Sequence, residues 1–427
     1  MLHYEKEILA SARMTLKMTL VLNTLESFDC QEQIDTLLAG KGDKIEIINT
    51  AAMKIAHCIG CNQCWLKTPG ICCIKDDYES IVKKLVKTDN LWIVSDTRFG
   101  FVDSRGKKVL DRIMPMLNMY LTFRGGWMRH ELRYHALNVG LIYRGNGDQE
   151  LLEDWCERTA ANLGGHSLGV IALDKELNGA AQQADAPNEI AQVENPPVQI
   201  EGNAAGKSES KHVVIINGSP RAKKFSNTDK ILQSFTKGLE EAGATYELYS
   251  LSSRSEWDSA REAFMTHNRT IIALPLYVEC VPGTLLEFLE TLPTKREQPA
   301  QLSFMLHGGF EEGRQLRLGE KFLKSLPAQF GCIYGGCLVR GGSFMIRMFN
   351  EKQTKAVLLP YRGMGEFFIE KGSFLSPELK KFTGPEQIPW PFRKLIKVLF
   401  KLVLKKKFDN FAREWGCTKP LDSKPYK

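Results

Sequence analysis

The sequence predicts an α/β protein with two doubly wound, five-stranded parallel-sheet domains in tandem. Short apolar, β-rich runs alternate with segments of helical periodicity, which is typical of a parallel sheet covered by helices on both faces. This alternation occurs twice, with five strands in each half. Between the halves, residues 174–211 are poor in large apolar side chains and have the composition of a flexible linker.

The first half contains five apolar runs with strand character and four segments with helical periodicity. Strands are expected at 17–22, 44–49, 91–95, 135–143 and 167–173, and helices at 31–38, 78–86, 105–116 and 149–163.

The second half repeats the order. Strands are expected at 212–217, 246–251, 270–277, 301–307 and 332–339, with helices at 227–242, 282–292 and 314–330. Two landmarks correspond between the halves: 91–100 matches 271–278, and helix 107–113 matches 285–292. We therefore hypothesise an internal duplication. The domains are expected at 1–173, 174–211 (linker), 212–375 and 376–427 (basic, helical extension).

Composition excludes several classes of protein. The 427 residues are 43% apolar and 25% charged, which is ordinary for a soluble globular chain. The sequence lacks a run of 18 uncharged apolar residues, so no transmembrane segment is expected, and 1–17 lacks the apolar core of a signal peptide. Eleven cysteines with one tight cluster argue against a disulfide scaffold and favour the reducing cytoplasm.

Much of the net charge of +7 lies near the carboxyl end, where 394–407 reads as a basic amphipathic helix. The favoured interpretation is a helix packed on its own domain with a solvated lysine face. Peripheral contact with a membrane or a partner is the alternative. No nucleic-acid partner is expected, because no recognised binding motif accompanies the charge.

Five of the cysteines fall within sixteen residues, 58–73. Cys58, Cys61 and Cys64 share one short loop, and Cys72 supplies a fourth thiol, with Cys73 as the alternative. Four converging thiolates at this spacing suit one soft metal centre, and an iron–sulfur cluster is favoured. Structural zinc and a metal-free set of thiols stay open as alternatives.

A second motif follows the first strand of the second half. Gly218 permits a tight turn, and Ser219, Arg221, Ser226 and Thr228 offer hydroxyl and guanidinium donors just before a helix. A helix amino terminus has free N–H groups and a favourable dipole, so the loop from Ser219 through Asn227 suits a phosphate monoester. The competing interpretation is a plain strand-to-helix turn capped by Ser226 or Thr228.

Two further loops are expected at the same edge of the sheet, because ligands of open α/β sheets bind beyond the carboxyl ends of the strands. The first contains Pro275, Leu276, Tyr277 and Val278, and the second contains Gly308 and Gly309. Tyr277 offers a ring that stacks on a planar ligand. It also has a purely structural interpretation, as a cover for the end of the core.

The Gly-Ser-Pro-Arg…Ser-Asn-Thr loop resembles that of the flavodoxin-like NADPH-dependent FMN reductase family. The cysteine segment, followed by Ile-Lys-Asp-Asp at 74–77, resembles the compact cluster of the iron–sulfur flavoproteins in the same superfamily. The resemblance implies flavodoxin-like domains, FMN at the strand ends and reduction by NAD(P)H or ferredoxin. It also implies a 4Fe-4S cluster that lies close to FMN across a subunit contact.

The sequence departs from the family pattern in a complementary way. At 20–29 the first half lacks the glycine and the Ser-Asn-Thr run, and it carries Glu26 and Asp29, which would repel a phosphate. The second half lacks cysteines at the corresponding place, 251–260. If the halves pack as a pseudo-dimer within one chain, one cluster and one flavin come together, although a homodimer also stays open.

We therefore predict an enzyme, an FMN-dependent oxidoreductase that passes electrons from NAD(P)H or ferredoxin to a small-molecule acceptor. A non-enzymatic electron carrier or redox sensor is the alternative, and a scaffold whose cofactor sites have decayed is a third possibility. Hydride transfer to flavin needs no acid–base pair, and no catalytic side chain is assigned.

Overall fold

The computed structural model describes residues 17–26, 30–40, 44–174, 211–293 and 300–427. The first sheet consists of five parallel strands in the order β2-β1-β3-β7-β8. They are β1 (Met18–Asn23), β2 (Lys44–Asn49), β3 (Asn90–Arg98), β7 (Leu137–Arg144) and β8 (Gly164–Ala172). The central strands are apolar on both faces because helices cover both sides; the first six residues of β3 are all buried.

Helices α1 to α5 connect these strands. They are α1 (Gln31–Leu38), α2 (Gln63–Leu66), α3 (Tyr78–Leu85), α4 (Ser104–Asp111) and α5 (Gln149–Asn162). A two-residue strand, β4 (Phe101–Val102), pairs antiparallel with the end of β3.

The second sheet has the order β10-β9-β11-β12-β13, again with every pair parallel. Its strands are β9 (His212–Asn217), β10 (Thr245–Ser250), β11 (Arg269–Pro275), β12 (Ala300–His307) and β13 (Cys332–Arg340). Between them lie α6 (Asn227–Glu241), α7 (Trp257–Thr266), α8 (Gly283–Glu290) and α9 (Arg317–Gln329).

Both sheets therefore share one topology: counted within each half, the parallel strands run 2-1-3-4-5. This is the doubly wound order of flavodoxin-like domains, and the predicted fold class is confirmed. The shared order supports the duplication hypothesis without establishing it, because an abundant fold also arises independently.

Three elements were not expected from the sequence. An antiparallel hairpin, β5 (Leu117–Arg124) and β6 (Trp127–Leu132), is inserted before β7. Its turn, Gly125-Gly126, has positive φ at both residues and was a readable hairpin signal. Helix α7 begins within residues 251–260, the segment that corresponds to the cysteine segment of the first half. Helix α10 (Glu351–Lys371) packs against α6 through close backbone contact at Gly238 and Gly365.

The two halves share one continuous apolar core that includes residues of both sheets. Helix α4 of the first half packs against α8 of the second. Glu290 at the end of α8 accepts hydrogen bonds from the Ser104 amide at 2.7 Å and the Ser104 hydroxyl at 2.6 Å. The carboxylate thereby satisfies free donors at the amino terminus of a helix in the other half.

The basic segment forms a long helix, α11 (Trp390–Leu399), a π-helical turn (Phe400–Leu404) and α12 (Lys405–Glu414). None of the helices in the described ranges combines the length and apolarity that crossing a bilayer requires. Most of the predicted linker, 174–211, lies outside the described residues, as do 1–16 and Asp29. The domain boundaries therefore stay a prediction.

Candidate functional site

The loop between β9 and α6 is held by its own polar groups. The Ser226 hydroxyl caps α6 by accepting from the Asp229 amide at 3.2 Å. The Ser219 amide donates to the Asn217 side chain at 3.0 Å, and the Arg221 amide donates to the Ser219 hydroxyl at 3.3 Å. These bonds fix the loop at the carboxyl edge of the sheet, where the sequence predicted a phosphate.

His307 at the end of β12 links this loop to the next one. Its Nε2 lies 2.8 Å from the Thr228 hydroxyl and its Nδ1 lies 2.8 Å from the Ser343 hydroxyl. Because the Ser343 hydroxyl donates to the Gly308 carbonyl, Nδ1 carries the proton and Nε2 accepts from Thr228. Burial lowers the pKa of His307 to about 3, so the ring is a neutral structural connector.

Two arginines meet at the open side of the loop. The guanidinium groups of Arg221 and Arg347 both donate to the Asn62 side-chain oxygen, at 3.3 and 3.2 Å. The Nε atoms of both are buried without a hydrogen-bond partner among the described residues. No described carboxylate lies within 4.0 Å of either group. Burial lowers the pKa of both arginines, and for Arg347 the charge of Arg221 adds to the effect.

Unpaired buried cations are costly, and an anion would relieve that cost. A phosphate beside Ser219 and the amino terminus of α6 would supply two negative charges to the two guanidinium groups. The residues present therefore fit the phosphate end of FMN.

The cysteine segment of the first half packs directly against this loop. The Gly60 carbonyl accepts from the Arg221 guanidinium at 3.1 Å. Gly60 has φ +62°, and a Cβ there would lie 2.3 Å from the Tyr277 hydroxyl oxygen, so a larger residue would collide. Glycine at this position thus permits the two halves to approach at the predicted flavin edge.

The other predicted flavin-site residues reach the same edge. β11 ends at Pro275, and Leu276, Tyr277 and Val278 follow in a tight turn closed by reciprocal backbone bonds between Tyr277 and Cys280. Gly308 follows β12 and is buried against Leu316, whereas Gly309 is exposed. The backbone of Tyr277 is fixed by Lys107 of the first half, whose ammonium donates to its carbonyl at 2.9 Å.

The five clustered cysteines surround one small region. Burial raises the pKa of Cys58 to about 12, with smaller contributions from Cys61 and Cys72, and burial raises the pKa of Cys64 as well. The negative charge of a Cys72 thiolate would add to the rise in pKa of both Cys58 and Cys64, so Cys72 faces the same region as these thiols. Cys73 competes, because its sulfur lies 3.3 Å from the sulfur of Cys61.

The distances between the cysteine sulfurs can be compared with those of a tetrahedral zinc site. Tetrahedral zinc with Zn–S bonds of about 2.3 Å brings its sulfurs to about 3.8 Å from one another. Within the described ranges, no three cysteine sulfurs all lie within 4.8 Å of each other. Cys61 and Cys73 nevertheless lie as close as zinc ligands, at 3.3 Å, so the sulfur positions do not choose between zinc and an iron–sulfur cluster.

Cations that the sequence did not single out also flank the cysteines. Arg133 is buried and donates to five backbone carbonyls, including those of Leu421 and Ser423 in the carboxy-terminal tail. Its charge acts to lower the pKa of Cys64, although burial dominates. The tail thus covers the cysteine loop, and a Cβ at Gly70 would lie 2.7 Å from Pro425.

The equivalent edge of the first sheet has a different character. A polar cavity of about 580 Å³ lies there, lined by Glu26 among other residues. Two of its three arginines are already paired: Arg105 contacts Glu26 at 2.5 Å and Asp96 at 3.2 Å, and Arg144 contacts Asp96 at 2.7 Å. This pairing leaves no pair of unneutralised guanidinium groups of the kind seen at Arg221 and Arg347.

Arg347 and Asn62 belong to the site but were missed by sequence reasoning. Arg347 lies more than a hundred residues after the phosphate loop, in a 3₁₀ segment (Ser343–Met348), and no local motif marks it. Asn62 adopts φ +59° inside the cysteine loop, a conformation for which asparagine is suited.

Comparison with known proteins agrees with the second-half geometry. Residues 212–349 match the sequence model of the family described as NADPH-dependent FMN reductase. The predicted resemblance is thereby confirmed for this domain. An iron–sulfur flavoprotein of Methanocaldococcus jannaschii is 37% identical over 79 residues, which are 18% of this chain and 40% of the relative. The chain thus matches less than half of that relative's length.

Solved structures give a fainter likeness. An azoreductase from Bacillus anthracis aligns with 37% of this chain and 99% of its own, at 15% identity and a TM-score of 0.29. An NAD(P)H:quinone oxidoreductase from Methanothermobacter marburgensis aligns with 38% and 98%, at 20% identity and a TM-score of 0.26. No functional conclusion rests on likenesses this slight.

Proposed function

We propose that this chain is an FMN-dependent oxidoreductase that takes electrons from NAD(P)H or ferredoxin and passes them to a small acceptor. The observation that carries the proposal is the pair of guanidinium groups at the phosphate loop, of buried Arg221 and half-buried Arg347, with no carboxylate of the described residues in salt-bridge range. The family match over residues 212–349, which include both arginines, supports the phosphate of FMN as the anion.

In the proposed assignment, the phosphate of FMN is held by Ser219, Arg221, Ser226, the amides of Asn227 and Thr228, and Arg347. The turn after β11 and Gly308–Gly309 border the isoalloxazine ring. When bound, FMN supplies hydride and single-electron chemistry. The chain's own residues orient it: His307 ties the Thr228 hydroxyl to Ser343, and Lys107 fixes the backbone of Tyr277.

We further propose that Cys58, Cys61, Cys64 and Cys72 hold a 4Fe-4S cluster, which supplies one-electron transfer when bound. Arg221 supports this by donating across the boundary between the halves to the Gly60 carbonyl. One chain then carries both sites at the contact that joins its halves, as an intrachain pseudo-dimer.

The proposal is tested with Arg221→Ala combined with Ser219→Ala. Loss of the phosphate ligands should leave the protein without bound FMN after anaerobic purification while the fold is kept. Absorbance near the flavin bands and circular dichroism measure the two properties. Arg362→Ala, at a surface ion pair with Glu241, is the matched control. Full flavin occupancy in the double variant would rule out this loop as the FMN site.

Activity separates the enzyme from an electron carrier. NADH and NADPH oxidation are measured with quinones, nitro compounds and free flavin as acceptors. An enzyme should turn over with at least one combination, and the Arg221→Ala, Ser219→Ala variant should lose that turnover. A flavin-loaded protein that is inactive with every donor and acceptor would favour the carrier.

A further inference from the structure

The helix at the carboxyl end presents an apolar surface to solvent. One side of the helix packs on the β5–β6 hairpin: Phe400 is buried and its ring stacks on Phe123 at 5.8 Å, with Ile396 and Leu404 beside it. The other side is exposed. Leu395 is 66% exposed and Leu402 71%, although both are large apolar residues.

This surface stands out from the rest of the molecule. Twelve large apolar side chains are exposed in the described ranges, and seven of them belong to this helix. They are Trp390, Phe392, Leu395, Val398, Leu399, Leu402 and Val403. Their exposure, against the burial of Phe400, places those from Phe392 onward on the side of the helix that is turned away from the hairpin. We call this set the apolar face.

Basic residues run along one edge of the apolar face. Lys394, Lys397 and Lys401 are all exposed and lie at helical spacing. From 390 to 407 the chain has seven lysines and arginines and no aspartate or glutamate, so this short segment alone carries a charge of +7. An apolar face bordered by lysines, with Trp390 and Phe392 at one end, matches the chemistry of an anionic lipid surface.

We propose that this helix lies in the interface of a membrane that contains anionic lipids. The apolar face enters the boundary between headgroups and acyl chains, and the lysines contact lipid phosphates. Protein packing on Phe400, Ile396 and Leu404 holds the helix in the orientation that exposes this face. The packing of the helix on its own domain and its exposed lysines agree with the favoured sequence-based interpretation, and the proposed membrane contact corresponds to its alternative.

The test uses the full chain and lipid vesicles, with or without about a third phosphatidylglycerol in phosphatidylcholine. Wild-type protein should float with the anionic vesicles and be released by salt. Leu395→Gln with Leu402→Gln should lower partitioning at least about tenfold, because buried apolar area is lost. Lys394→Gln, Lys397→Gln and Lys401→Gln together should lower it about a hundredfold on anionic vesicles.

Leu359→Gln is the matched control, since Leu359 is 62% exposed on α10, away from the apolar face. It should partition like the wild type, and far-ultraviolet circular dichroism should show all variants folded. Equal partitioning of every variant would overturn the proposal. The proposal would also be overturned if wild-type protein did not bind vesicles and formed a dimer, and if the Leu395→Gln, Leu402→Gln variant were monomeric. The apolar face would then be a subunit interface.

A second, independent cluster lies at the opposite edge of the second sheet from the flavin site. His212 begins β9, Glu247 lies in β10 and His267 precedes β11. The Glu247 Oε1 atom lies 3.5 Å from Nε2 of His212 and 3.8 Å from Nε2 of His267. All three donor atoms lie within 4.8 Å of one another.

Neighbouring groups orient these donors toward a common point. The Ala263 carbonyl lies 3.1 Å from Nδ1 of His267, so Nε2 is the ring nitrogen that lies toward Glu247. Nε2 of His212 is buried and makes no hydrogen bond within the described ranges. Tyr249 donates to the other carboxylate oxygen of Glu247 at 2.5 Å. Such second partners are typical of metal ligands.

We infer that His212, Glu247 and His267 form a site for Zn²⁺ or a similar divalent transition metal, with solvent completing the coordination. Bonds of about 2.0–2.2 Å in tetrahedral geometry place ligand atoms about 3.4 Å apart, close to the distances seen. The site has no contact with the proposed flavin site and does not depend on it.

The test is titration of the full chain with Co²⁺ and Zn²⁺. The metal equivalent that depends on this site should show the weak visible bands of nitrogen and oxygen ligation in the wild-type minus variant difference spectrum, without the intense near-ultraviolet bands of thiolates. His212→Ala with His267→Ala should lose that equivalent, and the exposed control His166→Ala should keep it. Unchanged stoichiometry and spectrum in the double variant would refute the site.

Discussion

At the scale of single residues, the decisive feature is the charge of Arg221 and Arg347. Other buried or half-buried arginines have carboxylate partners: Arg158 reaches Glu279 of the other half at 2.6 Å, and Arg112 reaches Asp76 at 2.8 Å. Arg221 and Arg347 instead contact neutral groups: the Gly60 carbonyl, the Asn62 amide oxygen and, for Arg347, the ring of Phe344. Charge-assisted bonds to an anion would therefore contribute more here than elsewhere in the molecule.

Arg347→Ala should weaken FMN binding about 10- to 100-fold, because a hydrogen bond to a charged group contributes about 1.5–3 kcal/mol. Riboflavin, which lacks the phosphate, should bind the variant and the wild type with similar affinity. Flavin fluorescence during titration of the apoprotein measures both. Arg347→Lys keeps the charge, and its affinity for FMN should lie between those of Arg347→Ala and the wild type. Equal weakening for FMN and riboflavin would place Arg347 at the ring rather than at the phosphate.

Burial of His307 makes the free energy of unfolding depend on pH. Its folded pKa of about 3 lies below the ordinary value of 6.5, so the unfolded chain binds a proton that the folded chain does not. The free energy of unfolding should therefore decrease as pH falls below about 6.5, by up to about 1.4 kcal/mol per pH unit for this group. The contribution is lost progressively down to the folded pKa.

Urea unfolding between about pH 7 and pH 5 measures this slope. His307→Asn should flatten it without removing it, because burial also lowers the pKa of His130, to about 4. A variant slope as steep as that of the wild type would show that His307 is protonated in the folded state.

At the scale of elements, the cysteine loop combines several strained or close-packed positions. Gly60 and Asn62 have positive φ, and Gly70 is enclosed by Pro425 of the tail. Trp65 anchors the short helix α2 by donating to the Met114 carbonyl at 2.7 Å. The loop therefore has a framework that is independent of its thiols, and cysteine substitutions should alter metal content more than fold.

Cys61→Ser should lose iron and acid-labile sulfide while FMN stays bound, because the phosphate ligands belong to the other half. Iron analysis, sulfide analysis and the flavin spectrum of anaerobically purified protein measure the three properties. Iron content equal to the wild type would refute the cluster assignment. Loss of FMN together with iron would show that the two sites do not assemble independently.

Parallel substitution of Cys72 and Cys73 identifies the fourth ligand. We expect Cys72→Ser to lose the cluster and Cys73→Ser to keep it, since the Cys-x2-Cys-x2-Cys-x7-Cys spacing ends at Cys72. Buried Cys156→Ser, in α5 away from the loop, controls for the loss of a thiol as such. The reverse result would assign Cys73.

At the scale of the whole molecule, the halves are joined by a buried ion pair as well as by apolar packing. Lys107 and Asp111, both almost fully buried, contact each other on α4 of the first half. Lys107 donates to the Tyr277 carbonyl at 2.9 Å, and Asp111 accepts from the Gly283 amide at 2.7 Å. The pair satisfies backbone groups at the start of α8 in the second half.

Asp111→Ala should lower the free energy of unfolding by about 3–5 kcal/mol, because Lys107 would be left as an uncompensated buried charge. Urea unfolding measures the change. Asp258→Ala, at a carboxylate 93% exposed, should change stability by no more than about 0.5 kcal/mol. Similar small effects of both substitutions would mean that the contact between the halves contributes little to stability.

Local patterns predicted most of the two sheets. All ten parallel strands were expected within a few residues of their bounds, because apolar runs and turn signals are contained in short windows. The β5–β6 hairpin was missed despite its Gly-Gly turn, since alternating strands and helices dominated the interpretation. The basic helix was predicted, but not which of its apolar residues are buried. That depends on Phe123, which packs on the helix from the β5–β6 hairpin, far away in the sequence.

The sequence by itself determined the fold class, the cysteine spacing and the phosphate loop, because each depends on residues that are close neighbours in the chain. Only the tertiary structure decided that the cysteine loop of one half meets the phosphate loop of the other, and that Arg347 joins Arg221 there. The hydrogen bonds from Arg221 to Gly60 and from Arg347 to Asn62 connect residues 161 and 285 positions apart. Their energies depend on burial and on the absence of a nearby carboxylate among the described residues, and neither property is written in a local sequence pattern.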